Sequence, residues 1–264
     1  MKKLITTVIL LTGITLNVFA QQEIPMFFDS ELGLQSNDNI ERRVVYSPDG
    51  SKIATVLGNG KITIWDSTSG REITRIDNNF FFLFSPNGRQ LVTFSTAEDI
   101  IIWDAASGVL IQRIQSTSVR NITFSPNGDH LAEIFQESGS NGIRIWNIAN
   151  GTVIKNIEHS QRIWSATYSP NGMHILAATN DGIIIWSSTN GNIHNAIGSG
   201  NRYVSGTTKY NPNGRYAAYA ANNIALHIFN TETNQETRVI PVQLSIGGTV
   251  GNTFFIVQMA AKYL

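Results

Sequence analysis

Five histidines, His130, His159, His174, His194 and His227, and no cysteine make up this chain's supply of soft ligands and general bases. His130 and His174 each stand two residues after the glycine of an SPNG tetrapeptide, and such a matched pair is what a two-imidazole metal site would need. The equivalent positions hold Gln90 and Tyr216 and border an exposed turn, which favours surface imidazoles, so no metal is expected. His194 and His227 sit in strand-like runs without visible partners. Gly58-Asn59-Gly60-Lys61 ends in lysine as a phosphate loop does, but Thr55 stands where the first glycine belongs and a strand pattern follows, which reads as a hairpin turn. Gly247, Gly248 and Gly251 fail the spacing of a dinucleotide loop. Calcium loops, zinc-binding helices and nucleophile elbows are missing from the sequence. The serines and aspartates lie in turns, where local backbone bonds account for them. The expectation is therefore no catalytic residue, no metal and no cofactor.

What would position any site is a repeat. The turn phrase recurs as SPDG at Ser47, SPNG at Ser85, Ser125 and Ser169, and NPNG at Asn211, in steps of 38, 40, 44 and 42 residues. An aromatic recurs at Trp65, Trp103, Trp146, Trp186 and Phe229, which is 17, 17, 20, 16 and 17 residues after the turn proline. Five residues beyond the first four aromatics stand Gly70, Gly108, Gly151 and Gly191, with Asn234 in the fifth copy. Proline pre-sets φ for the second turn position, Asn or Asp suits the third, and glycine takes the left-handed conformation from which strand pairing resumes. Short β-branched runs such as KIATVL, then KITIW, then EITRI follow each turn. The third run of each copy barely alternates, as in a strand buried on both faces. Each copy reads as a four-stranded antiparallel meander. Two apolar faces per copy require the copies to stack, and a radial array buries them all.

Four strands per copy, the SPDG or SPNG turn, and Trp65-Asp66 and Trp103-Asp104 closing the third strand resemble the WD-repeat β-propellers over residues 44–241. The resemblance implies an all-β ring of blades. It implies for the fourth copy a hydrogen-bonded tetrad of His159, Thr179, Asp181 and Trp186 that locks the blade. The Gly-His pair common in the family is absent, Glu158-His159 being the nearest match, and Asn147, Ser187 and Asn230 replace the aspartate in three copies. Five repeats are legible, and at roughly 41 residues per blade the length has room for about six. Residues 242–264 are expected to form an atypical or truncated last blade, and residues 21–43, through 24–28, to supply a ring-closing strand.

Hydrophobic residues make up 42% and charged residues 14%, so much of the surface is neutral, and 26 asparagines fill that role, many beside glycine. Nineteen basic residues balance nineteen acidic ones, which leaves no field to recruit nucleic acid or an anionic membrane. Residues 1–20, MKKLITTVILLTGITLNVFA, carry two lysines, an apolar run and a terminal alanine, the pattern of a secretory signal peptide. The expected destination is the periplasm or the exterior, with no membrane span after the leader is removed. The absence of cysteine excludes disulfides, a thiolate nucleophile and a lipid anchor on a terminal cysteine.

In the family geometry the residue six before each turn proline lines the channel mouth. Those residues are Arg42, Phe80, Arg120, Trp164 and Gly206, with Arg43, Arg162, Arg202 and Tyr203 as neighbours and residues 136–142 as the longest loop. Arginine and tryptophan are the types most enriched at binding hot spots. The resemblance thus implies a non-catalytic scaffold that holds a protein or peptide partner on this face. Its rivals are a recognition propeller of a longer protein with a catalytic domain beyond residue 264, and a propeller that binds a small ligand or glycan in its channel.

Overall fold

The computed structural model describes residues 43–57, 61–76, 81–95, 98–116, 118–137, 139–198, 208–221 and 225–241. The expected leader at 1–20, the expected closing strand, the expected glycine turn at 58–60 and the expected last blade at 242–264 lie outside them.

Every repeat folds as one four-stranded antiparallel sheet with its strands in chain order. The first sheet is β1 (Arg43–Tyr46), β2 (Lys52–Leu57), β3 (Lys61–Asp66) and β4 (Glu72–Ile76). The second is β5 (Phe81–Phe84), β6 (Gln90–Ser95), β7 (Glu98–Asp104) and β8 (Leu110–Ile114). The third is β9 (Val119–Phe124), β10 (His130–Glu137), β11 (Ser140–Asn147) and β12 (Thr152–His159). The fourth is β13 (Ile163–Tyr168), β14 (His174–Thr179), β15 (Gly182–Ser187) and β16 (Ile193–Gly198). The fifth is β17 (Thr208–Tyr210), β18 (Tyr216–Ala221), β19 (Ala225–Asn230) and β20 (Glu236–Pro241). None of the described residues forms a helix, so none of them offers a helical membrane span.

The turn phrase works as its chemistry requires. In the second sheet the Ser85 hydroxyl donates to Asn87 Oδ1 at 2.7 Å, and the Gln90 amide donates to Ser85 Oγ at 3.0 Å, while Gly88 sits at φ +68°. Asn211, which replaces this serine in the fifth copy, accepts from the Tyr216 amide through its own Oδ1 at 3.0 Å. The residue after each aromatic caps the next turn. Asp66 Oδ1 accepts from the Ser69 amide at 2.7 Å, Asp104 Oδ1 from the Ser107 amide at 2.8 Å, and Asn147 and Asn230 accept in the same way. Asparagine and serine therefore substitute for aspartate because the duty is local hydrogen-bond acceptance, not charge. A β-bulge precedes each aromatic in all five sheets, which bends the outer strand at the same place in every copy.

The core lies between sheets. Val45, Ile62 and Ile64 of the first sheet pack against Phe82, Phe84 and Leu91 of the second, and the same contact repeats from second to third, third to fourth and fourth to fifth. A middle sheet is thus covered on both faces, which is why β7 can bury Ile100, Ile101 and Ile102 in succession and β15 can bury Ile183, Ile184 and Ile185. Each such isoleucine stabilises the array by about 1.5–3 kcal/mol relative to exposure.

One expectation is corrected. Residues 136–137 and 140–142 are strand and not loop: β10 runs to Glu137 and β11 starts at Ser140, pairing Gln136 with Asn141 and Glu137 with Ser140 beside positive-φ Gly139. The three extra residues of the third repeat lengthen a hairpin, because the added residues can keep pairing.

Candidate functional site

Of the residues expected at the channel mouth, Arg42, Phe80, Arg202, Tyr203 and Gly206 lie outside the described residues, as does the side chain of Arg43. Arg120 on β9 and Trp164 on β13, two neighbouring inner strands, are within them, as is Arg162 just before β13. Both inner strands carry a bulge at the position in question. Val119 pairs with Phe135 and Asn121 with Ile134, which leaves Arg120 as the extra residue. Ile163 pairs with Thr179 and Ser165 with Ala178, which leaves Trp164 as the extra residue. A bulge takes a residue out of the ladder and re-aims its side chain.

Trp164 is half-buried and held from three sides. Its Nε1 donates to Asn180 Oδ1 at 2.8 Å, the Arg162 guanidinium lies 3.8 Å from the indole centroid, and its remaining surface packs on the apolar layer between the fourth and fifth sheets. The expected contact residue is therefore also an interblade packing residue. A cation that close over an indole face gains about 0.5–1 kcal/mol where exposed and fixes both side chains. Arg162 and Arg120 are exposed, and among the described residues neither side chain makes a hydrogen bond or ion pair, although the Arg162 carbonyl accepts from the Asn180 amide at 3.2 Å. On this end of the ring the described residues offer two cationic forks and one oriented indole.

Beside Arg120 the third sheet contains a polar cluster that the sequence reading did not find. Glu133 is wholly buried. It accepts from Trp146 Nε1 at 2.7 Å and from the Ser116 hydroxyl, and Arg144 Nη1 stands 3.6 Å from its Oε2. Arg144 also reaches Glu137 at 3.1 Å and covers the Phe135 ring at 4.3 Å. The Arg144 bond, with help from the Ser118 hydroxyl, holds the Glu137 carboxyl below its ordinary value. A signal was present in the repeat. The residue seven after the turn proline is Thr55, Thr93, Glu133, Ala177 and Tyr219, and Trp65 and Trp103 donate to those threonines at 2.9 and 2.8 Å. Glu133 takes the threonine's place as acceptor for the aromatic, so the cluster ties the third strand of this blade as the threonines do in the first two.

The tetrad of the fourth sheet is only partly assembled. His159 meets Trp186 edge to face at 5.5 Å, yet its Nε2 is buried without a hydrogen bond. Thr179 donates instead to the Gly182 carbonyl at 3.0 Å and accepts from the Asp181 amide at 3.2 Å. The hydroxyl serves the hairpin turn because Thr179 is the last residue of β14, and Ala177 occupies the threonine position opposite the tryptophan. Burial lowers the pKa of His159, against a smaller upward pull from Asp181.

Two histidines expected to lack partners have them. His194 stacks on His174 at 4.2 Å, and His227 bonds Glu236 through Nδ1 at 2.6 Å while stacking on Tyr219 at 5.0 Å. Among the described residues no three histidine or carboxylate groups converge as a metal site.

The WD domain, G-beta repeat family (WD40) matches residues 151–187, from the outer strand of the third sheet to the third strand of the fourth. No curated protein matches the chain. Among solved structures, the dihydro-heme d1 dehydrogenase NirN in complex with DHE is similar with a TM-score of 0.61 at 17% identity. The match covers 76% of this chain and 46% of NirN, so the chain spans less than half of that neighbour's length. Repeat, sheet topology and match agree on the fold: the chain is a β-propeller of four-stranded antiparallel blades, with a WD40 repeat at residues 151–187.

Proposed function

We propose that this β-propeller is a non-catalytic interaction platform that holds a protein or peptide partner at the mouth of its channel. The observation that carries the reading is the pair of bulges that take Arg120 and Trp164, on adjacent inner strands, out of their ladders. A strand gives up pairing at a point where a side chain has another use. Both arginines of this face keep exposed charge available for a partner's carboxylates, and the indole is pre-oriented, so little side-chain entropy remains to be lost on contact. The leader-like residues 1–20 support an exported protein, acting in the periplasm or outside the cell. The test is the double variant Arg120→Ala, Trp164→Ala, assayed by quantitative pull-down from the native compartment beside Arg238→Ala on an outer strand. Loss of one partner in the double variant alone, with an unchanged circular-dichroism spectrum, is the expected result. Equal capture by both variants overturns the reading.

A second reading is a recognition propeller within a longer polypeptide whose catalytic domain lies elsewhere. It draws support from NirN, a dehydrogenase of which this fold covers under half. An intact-mass measurement on the protein from its native source separates the two.

A further inference from the structure

On the fourth sheet two imidazoles meet. The rings of His174 and His194 stack with their centroids 4.2 Å apart and their planes 30° from parallel. His174 is the first residue of β14 and His194 the second of β16, and these two strands flank β15. Strands two places apart in a sheet lie about 10 Å from each other, so both side chains reach across β15 to make the contact. Ile193 pairs with Trp186 and Asn195 with Ile185, which leaves His194 as the extra residue of a bulge. The bulge takes it out of the ladder and re-aims its ring.

The other four sheets supply the comparison. At the His174 position they have Lys52, Gln90, His130 and Tyr216, and the extra residue of the outer-strand bulge is Ile73, Ile111, Ile154 and Thr237. Of the five blades only the fourth therefore has an imidazole at both positions, and the counterpart of His130 is an isoleucine. His194 is exposed and His174 half-buried, and among the described residues neither side chain makes a hydrogen bond or ion pair. Two imidazolium rings at this separation repel, so the stack favours at least one neutral ring, and burial, with His194 beside it, lowers the pKa of His174. Neutral imidazole is the form that ligates a metal.

We propose that His174 and His194 together bind one divalent transition-metal ion, with water completing its coordination. One nitrogen of each ring takes the ion at about 2.0–2.1 Å, and the rings open out of the stack to do so. His194, exposed on the bulge of an outer strand, supplies that movement. Imidazole suits copper, nickel and zinc, and a site of two nitrogens without a closed cage follows the intrinsic order of affinity, with Cu²⁺ above Ni²⁺ and Zn²⁺. Mg²⁺, which takes oxygen ligands, is left out. The site is independent of the proposed partner face, being formed by other residues.

The experiment is titration calorimetry on the full chain without a polyhistidine tag, using the chlorides of copper(II), nickel and zinc in a non-chelating buffer, with magnesium chloride as the comparison arm. The expected result is one ion per chain, Cu²⁺ bound most tightly, and no binding of Mg²⁺. His174→Gln and His194→Gln should each bind about tenfold or more weakly with unchanged circular-dichroism spectra, while His130→Gln binds as the wild type does. The electron paramagnetic resonance spectrum of bound Cu²⁺ should show nitrogen coupling that His194→Gln reduces. No binding to the wild type, equal binding of Mg²⁺, undiminished binding to His194→Gln, or an equal loss in His130→Gln each overturns the proposal.

Discussion

Replacing Trp146 by phenylalanine should cost about 1–2 kcal/mol more than the same replacement at Trp186, although both indoles are almost wholly buried, at 7% and 2% exposure. Both substitutions remove the same ring atoms, so the packing loss is common to the two. What differs is the partner of the indole nitrogen. Trp146 donates to the Glu133 carboxylate at 2.7 Å, whereas Trp186 has Ala177 at the corresponding position. A hydrogen bond to a charged group contributes about 1.5–3 kcal/mol, and a buried acceptor left short of donors costs on the same scale. Trp65 and Trp103, which donate to neutral threonines, should lose only about 0.5–1.5 kcal/mol for that bond. A second substitution tests the charge directly. Arg144 and Glu133, 3.6 Å apart, attract each other by roughly 5 kcal/mol gross at an effective dielectric of about 20, most of it offset by desolvation. Glu133→Ala leaves Arg144 with Glu137 but takes the acceptor from the Trp146 indole and the Ser116 hydroxyl, for which about 1–3 kcal/mol per unpaired donor is expected. Glu133→Gln, which keeps the shape and an acceptor for Trp146, should cost less. Urea unfolding monitored by tryptophan fluorescence gives each value by linear extrapolation. If Trp146→Phe costs no more than Trp186→Phe, or Glu133→Ala costs under about 1 kcal/mol, the carboxylate lock is refuted.

The Ser47 hydroxyl, with further bonds from Ser51, holds the Asp49 carboxyl down to about 2. A depressed carboxyl contributes stability above its unfolded value of 3.8 that is lost as pH falls toward 2, so the Tm advantage of wild type over Asp49→Asn should shrink across that window. His159, whose pKa burial lowers, favours the neutral imidazole. Stability it contributes above pH 6.5 is lost as pH falls through its lowered value, and His159→Phe should flatten the decline that begins below pH 6.5. Gly142→Ala places a Cβ 2.2 Å from the Ile157 carbonyl oxygen and 2.8 Å from the Phe135 ring, so a loss of about 1–3 kcal/mol in urea unfolding is expected.

The repeat, the five meanders and the family resemblance were legible in the residues because each depends on chemistry within a few positions. A proline that sets φ, a glycine at positive φ and a serine that bonds its own turn act locally, and a bulky aromatic at constant spacing marks the strand that must be covered on both faces. The site was legible only in part. The repeat register put Arg120 and Trp164 at the channel mouth, but that both are the extra residues of bulges depends on how β10 and β14 pair with the strands before them, and pairing has no local code. For the same reason residues 136–142 read as a loop although 136–137 and 140–142 are strand, since only a partner across the hairpin distinguishes the two. Glu133 meets Arg144 directly across the β10–β11 ladder and His174 meets His194 across β15, contacts set by strand register, whereas the inner strands β9, β13 and β17, which line one cavity, are brought together by sheet stacking. Composition and turn chemistry determined what this chain builds; the register between strands and the approach of neighbouring sheets decided which polar groups meet, because those distances are set by the packed core and not by the chain.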